Sequence, residues 1–316
     1  MQILTIFINY FCFSFVFDCI MIQFQYKKNL KLKDVITIKK LFCILLLVFS
    51  LLTLYACADK GEDVTTTPDT TETTKSLTVT VTFPEGFTAV QIAERLEENE
   101  VCNASRFLEL TNDIAYIQSL PYSFIKEIEN KQDRAFILEG YIFPDTYEFY
   151  RGESEEKALS RFLDNTERKL TSEYRQRAYE LGYTLDRIIT LASIVQEESY
   201  TADSVKNVAS VLHNRLKSPS FPRLQCDVTI HYINDYVADS KYISTADSYA
   251  EKYNTYKCEG LPVGAITNPG LAAIEAALYP AETDYFYFVT DSDWNYYYAE
   301  TYAEHKKNCN AVGLVG

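Results

Sequence analysis

The sequence predicts an α+β fold: a small strand-and-helix unit over residues 77–130, then a larger region of mixed helix and strand over 131–316. Three observations point there. "LTVTVTF" (Leu77 to Phe83) alternates apolar and polar residues and then gives way to helical spacing. Apolar residues recur every three or four positions through most of 155–217. The chain then nears its end in two aromatic runs, "DYFYFVTD" and "NYYYAET".

Taken in order, the elements begin with a targeting region. Lys39 and Lys40 precede the apolar run "LFCILLLVFSLLTLYAC", a charged segment followed by an apolar stretch of signal-peptide length. Its end, Leu54-Tyr55-Ala56-Cys57, resembles a bacterial lipoprotein signal, so residues 1–57 read as targeting sequence and Cys57 as the lipidated anchor. A single transmembrane helix that contains a cysteine is the alternative, and either way the body is exported and tethered. A second apolar run before Lys27 is more than such a signal needs, so the true start is expected downstream of Met1, at Met21 or Val35. Residues 58–76 are Thr-rich and nearly free of apolar side chains, a flexible linker.

Past the linker, Leu77 to Phe83 reads as a half-exposed strand and "PEGF" as a turn. Thr88 is expected to cap a helix with Ile92, Ala93 and Leu96 inward, and a short helix to follow from Asn103. A single long helix is expected from Glu155 to Leu181, ended by Gly182, with Thr184 restarting a helix that contains "LASIVQEES". Another covers "SVKNVASVLHNRLK". Gln225, Asp227 and Thr229 alternate along "LQCDVTIHY" and are expected on one face of a strand. Asn268 is expected to cap a helix with Pro269 at its first position. The two aromatic strands are expected to pair through a turn at Asp291 to Trp294.

Composition narrows the function. The chain of 316 residues carries a net charge of −14, and its first 56 residues hold an excess of lysine, so the exported body is more acidic still. Such a body repels nucleic-acid phosphates and anionic lipid, leaving a neutral or zwitterionic partner. Of eight cysteines, Cys102, Cys226, Cys258 and Cys309 lie past the anchor. They show no zinc spacing, and a disulfide such as Cys226 with Cys258 is compatible with export. His213, His231 and His305 lack ligand spacing, so neither metal nor cofactor is expected.

The chemistry concentrates at "QEES". On a helix over 185–199, Leu185, Ile188, Ala192 and Val195 share one direction, Glu198 lies at the margin of that stripe, and Glu197 points away toward solvent. A carboxyl against apolar side chains is harder to ionise, which suits a general acid near neutral pH. Acids at stripe margins are also ordinary helix ends, so periodicity alone leaves both readings open.

Six motifs in order, "LEGYIFPDTYEF", "ASIVQEES", "VLHNRL", "LQCDVTIHY", "YNTYKCEGLPVGAITNPGLAAIEAALYPAETDYFYFVTD" and "TYAEHKKN", resemble the endolytic murein transglycosylase family of bacteria, the YceG-like or MltG family. "PEGFTAVQIAERLEENEV" is similar to the start of that family's LysM-like module, which places such a module at 77–130 and the catalytic domain at 131–316. The resemblance implies a lyase that cuts peptidoglycan between N-acetylmuramic acid and N-acetylglucosamine and leaves a 1,6-anhydro end. It assigns the catalytic role to Glu198, with Gln196 standing where the family's motif has its first acid. Gln225, Asp227, Thr229, Asn254, Thr255, Tyr256 and Asn268 become candidates for holding the glycan strand. Cell-wall synthases become candidate partners, on the outer face of the membrane. A non-catalytic peptidoglycan-binding lipoprotein and a muramidase-type hydrolase are the alternatives. Cys226 and Val228 replace a serine and a proline of the family pattern, Val263 and Ala265 replace prolines, and Tyr298 and Ala299 replace a Phe-Ser pair.

Overall fold

The computed structural model describes residues 76–314 except 239 and 244–246. The targeting region, Cys57 and the linker through residue 75 lie outside the described residues. Among the described residues no helix is long and apolar enough to cross a membrane.

The order of elements confirms a mixed α+β chain. Strand β1 (Thr78–Thr82) leads into helix α1 (Ala89–Glu98), α2 (Ala104–Asn112) and α3 (Ile114–Ser119). Strand β2 (Thr146–Tyr150) then returns antiparallel to β1, with Thr78 opposite Tyr150 and Thr82 opposite Thr146. The partner of the first strand therefore lies beyond residue 130. Thr88 forms the expected cap as a full capping box: its hydroxyl accepts from the Gln91 amide while the Gln91 side chain accepts from the Thr88 amide. Two donors that a helix start leaves orphaned are thereby satisfied.

The single helix expected over 155–181 is instead two, α4 (Glu155–Lys169) and α5 (Ser172–Glu180). Leu170 is buried at the break and Thr171 caps the second helix through the Tyr174 amide. The Arg175 guanidinium donates to the Leu170 carbonyl freed by the interruption. The apolar spacing continues across the break because both helices cover the same core, and spacing alone conceals the change of axis.

Helix α6 (Leu185–Glu198) starts at Thr184 as expected, the hydroxyl accepting from the Arg187 amide. It packs against α7 (Val205–Lys217) and α10 (Leu271–Leu278), and these three helices touch one another pairwise. Ten residues of α6, Leu185 and Asp186 then Ile188 through Val195 with only Arg187 exposed between them, are withdrawn from solvent. Between α7 and α10 lie two short helices, α8 (Val228–Tyr232) and α9 (Asp247–Tyr253). The cap of α10 is Gly270 and not Asn268. Asn268 is pulled two residues upstream of the helix because its side chain faces inward: Oδ1 accepts from the Gly140 and Ile142 amides, and Nδ2 donates to the Phe87 carbonyl and to Glu139.

Strands β3 (Tyr287–Thr290) and β4 (Tyr296–Ala299) pair antiparallel across the expected turn. The chain does not end there: α11 (Tyr302–Ala311) follows, started by a second capping box between Thr301 and Glu304. One apolar core runs from Val81 on β1 to Leu278 on α10.

Candidate active site

The last three residues of α6 point three ways and join three parts of the fold. Gln196 Oε1 accepts from the Gly270 amide at 3.0 Å and so occupies a donor at the start of α10. Glu197 lies under the "PEGF" turn. Gly86 there has φ +86°, and a Cβ on it would come within 2.7 Å of Glu197 Oε1, so only glycine admits this approach. The Thr267 hydroxyl bonds Glu197 from the other side, yet burial still raises its pKa. The expectation that Glu197 is solvated is therefore corrected. A helical wheel describes only the helix's own faces, and the turn that covers Glu197 comes from more than a hundred residues earlier.

Glu198 occupies the remaining direction. It is half-buried, and its carboxyl is pushed up to about 7, first by loss of hydration and then by the neighbouring negative charge of Asp227, with Glu197 adding to it and Arg215 opposing. The Glu198 carbonyl accepts from the Tyr296 hydroxyl at 2.7 Å, which ties the end of α6 to the β3–β4 hairpin. Arg215, near the end of α7, donates from Nε to the Phe286 carbonyl and from Nη1 to the Leu224 carbonyl. It thus joins the start of the hairpin to the segment carrying Asp227 and places a cation within electrostatic reach of Glu198.

The segment expected as a strand is a turn followed by α8. Gln225 takes a left-handed φ of +58°, and α8 begins at Val228. Gln225, Asp227 and Thr229 consequently do not share one face. Gln225 and Asp227 are exposed, while Thr229 is fully buried and bonds the Cys226 carbonyl and the Thr255 hydroxyl. Thr255 is buried too and receives the Cys226 amide on its hydroxyl, and its carbonyl accepts from the Gln225 amide. The two threonines clamp two loops together, 29 residues apart in one bond and 26 in the other. Tertiary hydrogen bonding has overridden the alternation.

That clamp sets what remains exposed. The Tyr256 hydroxyl donates to Asp227 Oδ1 at 2.7 Å, and the Asn254 side chain holds the Tyr256 amide at 2.9 Å. The Tyr256 phenol is pushed up to about 12 by burial, by that bond to Asp227, and more weakly by Glu198. Of the expected site residues, the structure thus gathers Glu198, Asp227 and Tyr256, with Asn254 and Gln225 at their flank. Thr229, Thr255 and Asn268 are fully buried and spent on protein partners. Cys226 lies beneath, its thiol raised well above the ordinary range by burial. Cys102, Cys226, Cys258 and Cys309 are all free thiols, so the Cys226–Cys258 bridge is not formed.

Sequence reasoning singled out neither Arg215 nor Tyr296. Arg215 sits in "VLHNRL" as an ordinary basic residue of a last helical turn, and nothing local marks Tyr296 among its tyrosine neighbours. It also missed that a second carboxylate comes within electrostatic reach of Glu198, because Asp227 belongs to a different segment. The arrangement offers an acid that holds its proton up to about pH 7, a hydrogen-bonded carboxyl group and a phenol, a set suited to protonating a bridging oxygen and stabilising the positive charge that follows.

The YceG-like family model matches residues 59–311. The chain is 29% identical over 230 residues to an endolytic murein transglycosylase of Bacillus subtilis (strain 168), covering 72% of this chain and 63% of that protein. It is 30% identical over 255 residues to the protein of the same name from Streptococcus pneumoniae serotype 2, covering 76% and 45%. The chain therefore spans less than two thirds of the length of either relative. Its fold is similar to the crystal structure of a YceG-like protein from Listeria monocytogenes, with a TM-score of 0.60 at 30% identity over 72% of this chain and 74% of that one.

Proposed function

This chain belongs to the YceG-like family, and from that premise we propose that it is a lytic transglycosylase that cleaves glycan strands of peptidoglycan, with Glu198 as acid and then base. The observation that carries the reading is the Glu198 carboxyl, half-buried at the end of a buried helix and pushed up to about 7, with the hydrogen-bonded pair Asp227 and Tyr256 within electrostatic reach of it. Protonated Glu198 donates to the glycosidic oxygen, the bond to the muramic C1 breaks, and positive charge develops there. The resulting carboxylate takes the proton of the C6 hydroxyl as that oxygen bonds to C1. One carboxylate thus serves both steps, since the nucleophile belongs to the substrate. Asp227, hydrogen-bonded by Tyr256, would lie near the developing charge. Gln225 and Asn254 are placed to bond the sugar's acetamido or hydroxyl groups.

The same reading places the enzyme outside the cytoplasm, held to the membrane through Cys57 or an N-terminal helix, in wall assembly beside synthases. Residues 77–130 are read as a LysM-like module, supported by a strand followed by three short helices.

The presence of Asp227 near Glu198 gives a muramidase-type hydrolase one supporting observation, because such enzymes use a second carboxylate beside the acid. Mass spectrometry of glycan digests separates the readings. Anhydro ends are expected, and the full-length Glu198→Gln chain should form them about 10²–10⁴-fold more slowly. Ends heavier by one water would replace the lyase with the hydrolase, and strands left whole by the unaltered chain would leave only a binder.

A further inference from the structure

The hairpin between β3 and β4 carries a residue where its backbone asks for another. The Trp294 amide donates to the Asp291 carbonyl and the Asp291 amide to the Asn295 carbonyl, closing a tight turn with one residue in the left-handed region. That residue is Trp294, at φ +62°. Glycine is the usual occupant of such a position, and a bulky side chain there is strained. The strain does not bring the ring into the core, for Trp294 stays 50% exposed. Its indole rests on Tyr200, itself 58% exposed, with ring centroids 4.0 Å apart. The two rings lie one against the other at a tilt of 40°, so each still turns an outer face to water, an uncommon use of apolar surface.

Their location gives them a purpose. Tyr200 follows Glu198 by two residues. Its amide donates to the Tyr296 hydroxyl at 3.0 Å, and that same hydroxyl donates to the Glu198 carbonyl. The hairpin end is made rigid by Asp291, whose carboxylate accepts from the Asp293 and Asn295 amides, the Asn295 side chain and the Tyr297 hydroxyl. We propose that Tyr200 and Trp294 form a stacking platform for one pyranose ring of a glycan strand, a subsite next to the Glu198 end of α6. The proposal rests on the reading of the site as a peptidoglycan lyase. A pyranose presents its C–H groups on one face and its hydroxyls at the rim, so an exposed aromatic pair can hold the ring while its polar groups stay hydrated.

Trp294 is the one tryptophan of the chain, so its emission reports on the platform alone. The full-length Glu198→Gln chain in detergent is titrated with soluble, peptide-free peptidoglycan glycan strands, and with dextran as control. A saturable change in Trp294 emission is expected with the strands and none with dextran. Tyr200→Ala and Trp294→Gly should each raise the calorimetric Kd about tenfold. The thermal midpoint of Trp294→Gly should hold or rise, because glycine relieves the left-handed strain. The platform is overturned by flat emission during a titration that calorimetry shows to saturate, by Trp294→Gly binding as tightly as its parent, or by no binding at all. If strands bind and change the emission while the unaltered chain yields no anhydro ends, the lyase reading falls and the platform stands.

Discussion

At the residue scale the site depends on which acid is neutral. Burial, Asp227 and Glu197 all favour the protonated form of Glu198, and Arg215 alone among its charged neighbours favours the ionised one. A general acid must carry its proton, so anhydro-end formation should be sustained below pH 7 and fall as pH rises through about 7. Asp227→Asn removes one of the negative charges that hold the proton. The alkaline limb of the pH–rate profile should then move to lower pH, with kcat falling if Asp227 also steadies the charge at C1. An unmoved limb would show that Asp227 exerts no such influence. Initial rates from pH 5 to 9 on both chains decide this. Sequence pattern could place Glu198 at the margin of a buried stripe, since that follows from the helix's own geometry. It could not bring Asp227 within electrostatic reach, nor remove Glu197 from solvent, because both facts depend on other segments arriving in space.

At the scale of elements, local chemistry was readable and long-range chemistry was not. The caps at Thr88 and Thr184 and the hairpin turn at Asp291 involve residues within four positions of one another, so the sequence displays both partners together. The Gln225–Thr229 turn and the displaced cap of α10 involve partners 26 to 181 residues away. Glu139 shows how strong such distant bonding becomes. It is fully buried, and its carboxyl accepts from the Ala89 amide at the start of α1, from Asn268 Nδ2 and from the Tyr232 hydroxyl. One side chain thus joins α1, α8 and the strap before α10. Burial outweighs its three donors and pushes the pKa up to about 8 from an ordinary value of 4.5. The folded chain therefore holds a proton that the unfolded chain releases. Its stability is fully present below pH 4.5 and lost as pH climbs through about 8, by roughly a few kcal/mol. Glu139→Gln keeps an acceptor for Ala89 and Asn268 and cannot ionise, so it should flatten this decline. Urea unfolding at pH 5 and pH 9 tests it, and equal losses in both chains would show that Glu139 does not ionise across that window.

At the scale of the whole molecule, the fold gives residues before 130 a share in the site. β1 has its partner at Thr146–Tyr150, and the turn after β1 covers Glu197 while the Glu85 carboxyl lies against Gly270. The aromatic cluster repeats the pattern: Phe83 follows β1 and Phe107 lies on α2, yet both meet Phe162 on α4, and Phe83 also meets Phe149 on β2. All four rings are essentially without exposed surface. Deleting residues 1–130 would uncover Phe149 and Phe162 at roughly 1.5–3 kcal/mol each, and would leave the Glu139 carboxyl without the Ala89 amide. A folded domain has a net stability of only about 5–15 kcal/mol, so such losses are large against the total. The residues from 131 onward are therefore expected not to fold alone, and described residues on both sides of 130 are expected to unfold together. Calorimetry of the intact chain should show one cooperative transition for them, and the truncated chain should lack sharp near-ultraviolet dichroism. Two separate transitions, or a truncated chain that melts cooperatively and still forms anhydro ends, would establish two independent bodies and assign the catalytic geometry wholly to the second.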